Sequence, residues 1–384
     1  MPNTFLSDRD REFHSTGQGK LKTEEQFKRI LVVCTRQLGD VLMTTPLIRA
    51  TKERWPDASV DMLGFSGTLG LLRGNSDIRE FIERPEGSGW VQSRWLIRRL
   101  WRRYDLVLVA QHTDRAHLIG WVAAKVRSGQ VIDEPRGWWK RRLLRHAVLM
   151  TGGHSHAVIE KMRLLEPWVQ ISKTDVIPPP AEPLQEELAS SLAARYVVLH
   201  VPSLVRYKQW PVRHFERLTQ LLIGQGLQVV LSGGPSASDR SQVAQVAQVS
   251  PPPRVLDMAG KLGFGQLTTL LKGALLYVGP DSSITHLAAS LDIPVISLYG
   301  PIDPRQWGPW PPGQGPVVPY QSRDTRQQAR KVIVLQGPQP CVPCNKAGCD
   351  NHVNSRSECL ETMAPERVFA EAMTVLASLR SGAD

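Results

Sequence analysis

The 384-residue chain contains no apolar run near the roughly 18–20 residues that a membrane-spanning helix needs. Met1–Lys28 is polar and rich in charge, with no apolar core of a secretory signal, and reads as a disordered tail. These two absences predict a cytoplasmic protein. The dinucleotide fingerprint G-x-G-x-x-G is missing: Gly224-x-Gly226, Gly263-x-Gly265 and Gly313-x-Gly315 all lack the third glycine. G-x-x-x-x-G-K-[ST] is absent too, which disfavours a P-loop hydrolase. There is no G-x-S-x-G nucleophile elbow, and outside the N-terminal tail no D-x-D pair of the sort that holds a divalent metal on a nucleotide-sugar. Cysteine is scarce, five in all. Four of them, Cys341, Cys344, Cys349 and Cys359, follow C-x2-C-x4-C-x9-C spacing with His352 among them. A cytoplasmic setting disfavours disulfides. Zinc is one reading of that spacing, but only the first pair is short, so a compact loop without metal is expected.

Cationic charge, in contrast, is abundant. Net charge is +11, and residues 90–146 carry 13 Lys and Arg against 4 acids, a net +9. The same window holds six of the eleven tryptophans: Trp90, Trp95, Trp101, Trp121, Trp138 and Trp139. Mixed Arg and Trp suits an anionic membrane interface and would also suit nucleic acid. The plainer alternative is a solvated basic face with its tryptophans in the core.

Short apolar runs alternate with helical patterns along the chain, which predicts parallel sheets covered on both faces. Candidate strands in the first half are 30–34, 59–64, 105–110 and 129–132, with helices over 40–54, 66–73, 91–103 and 115–126. The run VIPPPAEP, Val176–Pro183, can continue neither a helix nor a central strand and marks a boundary. Beyond it the alternation restarts, with strands over 196–201, 227–232, 254–257, 275–278 and 293–299. Residues 300–320 are dense in Gly and Pro and read as an ordered loop, and a last amphipathic helix is expected over 365–379. The fold class is therefore α/β, with two Rossmann-like domains whose strand ends face a central cleft. The expected division is a tail (1–28), an N-terminal domain (29–180), a C-terminal domain (181–362) and a closing helix (363–384) that reaches back to the N-terminal domain.

Three strand ends in the second half suit a nucleoside diphosphate. Leu275–Val278 runs through Gly279-Pro280 into Asp281, Ser282 and Ser283. There Asp281 is expected to cap a helix whose free amides and dipole favour phosphate. His286 lies one turn on. After strand 196–201, Ser203 and Lys208 sit in a loop where a lysine can neutralise a diphosphate, and Trp210 beside Pro211 is expected to pack. Gly233-Gly234 ends the next strand, where backbone can approach a ribose or base. In the first half, ILVVCTRQLGD places a carboxylate, Asp40, at the first helix start, where a pyrophosphate site would carry glycine.

These segments together resemble glycosyltransferase family 9, the lipopolysaccharide heptosyltransferases, over about residues 28–380. The resemblance rests on R-x-x-G-D-x-x-x-x-x-P (Arg36, Gly39, Asp40, Pro46), S-x-x-x-x-K-x-W-P (Ser203, Lys208, Trp210, Pro211) and D-[ST]-x-x-x-H (Asp281, Ser282, His286). Tyr299–Pro301 and the Cys-rich stretch before P-E-R-V also fit, and the loop 202–208 is most similar to the third-heptose type. The resemblance implies a GT-B fold that moves heptose from ADP-L-glycero-D-manno-heptose to a lipid-anchored lipopolysaccharide inner core, with inversion and without cofactor or metal. It implies Asp40 and Lys208 as catalytic. Donor binding would fall to Ser203, Lys208, Gly233, Gly234, Asp281, Ser282, Ser283 and His286, and acceptor binding to Arg36 and Gln37. It further implies a monomer on the cytoplasmic face of the inner membrane, held by the 90–146 window and binding no nucleic acid. Where some members carry an acidic ribose ligand after Gly234, only Ser236 or Asp239 is available here. A GT-B transferase with another donor or acceptor, and a basic nucleic-acid-binding protein with a zinc knuckle, are the rival readings.

Overall fold

The computed structural model describes residue 22 and residues 24–84, 90–134 and 137–381. Most of the expected tail lies outside these residues, but its last part is not a tail. Phe27 is buried between Trp55 and Trp168, with ring centroids 5.1 and 5.7 Å away. The Glu25 carboxylate accepts the Trp168 indole N–H at 2.8 Å. Three large rings are gained by ordering a few residues, so the chain joins the core earlier than charge alone suggests.

Six parallel strands form the first sheet: β1 (Arg29–Val33), β2 (Ser59–Phe65), β3 (Glu80–Arg84), β4 (Leu106–Val109), β5 (Val126–Val131) and β6 (His146–Leu149). Their order is β3-β2-β1-β4-β5-β6. The second sheet takes β7 (Tyr196–His200), β8 (Gln228–Ser232), β9 (Val255–Asp257), β10 (Leu276–Pro280), β11 (Val295–Tyr299), β12 (Arg326–Ala329) and β13 (Val332–Gln336). Its order is β12-β13-β11-β10-β7-β8-β9, parallel except for the β12–β13 pair. Both sheets are doubly wound and reverse direction once, between β1 and β4 and between β7 and β10, which is where such folds open a ligand crevice.

The expected strands are present, together with four others. In β3, EFIER holds only two apolar residues among three charged ones at a sheet edge; β6, HAVL, is short and sits in a basic run. The β12–β13 hairpin follows the Pro-rich loop and forms the other sheet edge. The expected helix over 40–54 is two helices, Leu38–Leu42 and Thr45–Arg54, because Pro46 starts the second one. The 300–320 loop contains one helical turn, Pro304–Trp307, capped by Asp303, whose side chain accepts the Arg305 N–H.

One apolar cluster runs from Ile30, Val32 and Leu106 in the first sheet to Val198 and Tyr277 in the second, so the inner faces of the two sheets share a core. Helix Val212–Gly224 buries Phe215, Leu218, Thr219 and Leu222, the i, i+3, i+4, i+7 stripe of an amphipathic helix. The closing helix, Pro365–Ser381, lays Val368, Ala372 and Leu376 into the same cluster as Leu218 and Leu222. It therefore belongs to the second domain and does not reach back to the first. Arg217–Glu366 and Arg326–Glu371 pairs hold it there.

The basic window covers the outer face of the first sheet with three helices, Trp90–Leu100, Asp114–Ala123 and Trp138–Leu143. Trp95, Trp101, Trp121 and Trp138 are exposed, so these four are not core residues. Arg102 lies 5.8 and 6.0 Å from the Trp101 and Trp121 rings, and Arg142 5.1 Å from Trp138. Among the described residues, no helix is long and apolar enough to cross a membrane.

Candidate active site

Asp40 stands in the Leu38–Leu42 helix, directly after β1, and is 8% exposed. That helix packs across the cleft on the start of helix Ser283–Ser290. A Cβ added at Gly39 would lie 3.4 Å from His286 Cδ2 and 3.6 Å from Ser283 Cα. The two domains thus come within van der Waals reach of each other at their switch points. Asp40 Oδ1 is 3.1 Å from Arg36 Nε and 3.8 Å from Lys161 Nζ. The Arg36 guanidinium in turn lies 5.9 Å from the Trp307 ring of the second domain. Gln37 is the residue preceding the Leu38–Leu42 helix.

On the opposite wall, Lys208 Nζ is 2.6 Å from Asp281 Oδ2. Burial opposes the ammonium, but the neighbouring carboxylate outweighs it, so Lys208 stays charged above the ordinary lysine range. Asp281 is therefore not the helix cap expected from its position. Ser282 is the cap: its Oγ accepts the Thr285 N–H at 3.3 Å, and Ser283 begins the helix. Asp281 is one residue too early to cap and its side chain is taken by Lys208 instead. His286 is buried, with Nε2 4.0 Å from Asp281 Oδ1. Burial lowers its pKa and Lys208 adds to the effect, while Asp281 opposes it; the imidazole is neutral at pH 7.

Strand β7 is flanked by β10 and β8, so the loops bearing Ser203 and Lys208, Asp281 and Ser282, and Gly233 and Gly234 are neighbours at one sheet edge. Asp239 faces this edge, since a Cβ at Gly234 would run into its carboxylate. Trp210 packs, fully buried, with its indole N–H on the Met363 carbonyl at 3.0 Å. His286 Nδ1, buried beside the cleft, has no hydrogen-bond partner. Such an atom ordinarily marks the place of a ligand or water.

Several residues of the cleft carry no local signal in the sequence. Lys161, 3% exposed, comes from the Ala157–Met162 helix after β6. Gln111, at the end of β4, accepts the Thr35 N–H and donates to Thr35 Oγ1 and Thr113 Oγ1, fixing the two switch-point loops to each other. His156 caps its helix and contacts the Gly308 carbonyl at 2.8 Å, tying the domains together; burial drives its pKa down to about 3. The four late cysteines remain free thiols, and no metal-holding group of His, Cys, Asp or Glu occurs among the described residues.

Two doubly wound domains facing each other across a cleft are the architecture of the GT-B glycosyltransferases. Residues 93–334 match the family model "Glycosyltransferase family 9 (heptosyltransferase)". Among curated relatives, lipopolysaccharide heptosyltransferase 3 of Escherichia coli K12 is 31% identical over 289 residues, covering 72% of this chain and 83% of that one. Two solved structures share the fold. E. coli ADP-heptose lps heptosyltransferase II superposes with a TM-score of 0.67 at 21% identity, over 92% of this chain and 99% of its own. E. coli heptosyltransferase WaaC with ADP gives 0.62 at 18% identity, over 90% and 99%. The chain belongs to glycosyltransferase family 9, and it is a glycosyltransferase.

Proposed function

We propose that this enzyme transfers heptose from ADP-L-glycero-D-manno-heptose to the lipopolysaccharide inner core. The observation that carries the reading is the placing of different groups across one cleft: a buried carboxylate, Asp40, on one wall, and an ammonium with helix-start amides, Lys208 and Ser282–Ser283, on the other. The first domain takes the acceptor and the second the donor. Asp40 accepts the acceptor's hydroxyl proton as that oxygen attacks the anomeric carbon. The bond from that carbon to the diphosphate breaks on the opposite face, so configuration inverts. Lys208 and the free amides of the Ser283 helix take up the charge that grows on the departing ADP. This assigns to side chain and backbone the role a metal ion fills in other transferases. Arg36 is placed to grip an acidic group of the acceptor beside Asp40.

The adenine nucleotide is inferred from the relatives, of which WaaC was solved with ADP. A calorimetric screen of ADP-, UDP-, GDP- and CMP-sugars tests it. The ADP-sugar is expected to bind and the others not; preference for a UDP-sugar would replace the donor.

The exposed Arg/Trp helices of residues 90–146 are the surface by which the enzyme meets the inner membrane, where a lipid-anchored acceptor resides. Indole rings suit the headgroup layer. Lys or Arg near an anionic bilayer contributes about 1 kcal/mol each. Co-sedimentation with phosphatidylglycerol-containing vesicles should therefore weaken steeply as salt rises, and binding indifferent to salt would refute this assignment.

A further inference from the structure

A buried charged side chain beside Asp40 that the mechanism above leaves unused is Lys161. It is nearly as buried as the core around it, and a buried ammonium is costly unless it is paired and hydrogen-bonded. Its neighbour in sequence does not serve it. The Glu160 carboxylate is occupied by the backbone N–H and hydroxyl of Thr151, at 3.0 and 2.9 Å. Among the described residues the carboxylate within ion-pair distance of Lys161 is Asp40, at 3.8 Å. The ammonium also reaches the carbonyl of Ala110, at 3.5 Å, the residue following β4. Lys161 thus bridges the end of a switch-point strand and the carboxylate set at that switch point.

Both cations near Asp40 act on one oxygen. Arg36 approaches Oδ1 from the β1 loop, half-exposed, and Lys161 approaches the same Oδ1 from beneath, in the domain interior. We propose that Lys161 is a positioning residue for the transfer reaction, an internal counter-charge that pins Asp40 by Oδ1 and leaves Oδ2 to receive the acceptor's proton. Arg36 can be drawn away, because it stands in the mouth of the cleft, near the Trp307 ring and close to any acidic group of the acceptor. Lys161 cannot leave, so it holds the carboxylate while Arg36 turns to the substrate. In the step itself the acceptor O–H proton passes to Oδ2 and the oxygen–carbon bond forms. The sugar–diphosphate bond breaks with its electron pair on ADP, and Lys161 exchanges no proton.

The inference rests on Asp40 as the base, so the two are tested side by side. Lys161→Met, Lys161→Arg and Asp40→Asn are compared with the parent enzyme for kcat, for KM of each substrate and for ADP affinity by calorimetry. Far-UV circular dichroism and a single cooperative melt, together with unchanged ADP affinity, show that both domains of each variant are folded. Lys161→Met is expected to lower kcat about 100-fold, the low end of what a general base supplies. KM for donor and acceptor should stay within about twofold, and Lys161→Arg should recover at least a tenth of the parent kcat. Parent-like kcat in Lys161→Met, with Asp40→Asn inactive, overturns the role of Lys161 and leaves the base in place. A raised acceptor KM with intact kcat also overturns it, making Lys161 a binding residue. Activity surviving in Asp40→Asn removes the base itself. Should Lys161→Met lose ADP binding, Lys161→Arg decides alone: a folded variant without recovered kcat overturns the proposal.

Discussion

Replacing Lys208 by Ala is expected to lower kcat about 100- to 1,000-fold, since removing one preorganised donor to a growing charge costs about 2.7–4 kcal/mol of barrier. The ion pair with Asp281 adds a second effect. Truncating the lysine leaves a buried carboxylate without its partner, which costs folding stability on the order of 3 kcal/mol. The two effects separate in a double variant. Lys208→Ala with Asp281→Asn should regain most of the thermal midpoint while turnover stays low. Because the Lys208 pKa is raised in the folded state, the pair's contribution is complete at neutral pH and fades only as pH climbs through that raised value. Turnover in Lys208→Ala equal to the parent would remove the lysine from the diphosphate site. The pairing also describes the donor-free site. On the proposed mechanism, Asp281 keeps the ammonium in place until a diphosphate, the stronger anion, competes for it.

How much of this was legible beforehand follows the range of each interaction. The Ile30–Pro56 stretch announces itself because strand, turn, carboxylate and helix start are contiguous, and Asp40 lies where that order puts it. The Ser282 helix start is equally local, which is why its position was readable to within one residue. What was misread is what depends on partners far along the chain. Asp281 looks like a cap until Lys208 is brought beside it. Lys161 carries no local signal at all, because only the end of β4 and the Asp40 helix, far along the chain, make it part of the cleft. Phe27 sits in a polar segment, and only Trp55 and Trp168 make it core. Of the four strands not expected, β3, β6 and β12 are edge elements with few apolar residues, whereas β13, VIVLQ, is an internal buried strand with an ordinary apolar run. The closing helix was assigned to the wrong domain because an apolar stripe names a face, not the neighbour that covers it.

Replacing Asp40 by Asn is expected to produce the largest loss in this enzyme, between about 100- and 10,000-fold in kcat, with ADP affinity unchanged. The substitution keeps size and shape but removes the proposed proton acceptor, and it lies on the wall opposite the one proposed to bind the nucleotide. Its effect on stability should be small in comparison. Asp40 makes no well-directed hydrogen bond through Oδ1, so the fold loses only an ion pair there, and Arg36 can turn to solvent. Lys161 cannot, so some destabilisation remains from an ammonium that has lost its carboxylate. That asymmetry makes the variant diagnostic. A structural carboxylate would show its loss mainly in the thermal midpoint, and a base mainly in turnover. Single-turnover measurements at saturating donor decide between them. A variant that melts early yet transfers sugar at the parent rate would leave Asp40 as a packing residue, and the cleft would need another proton acceptor.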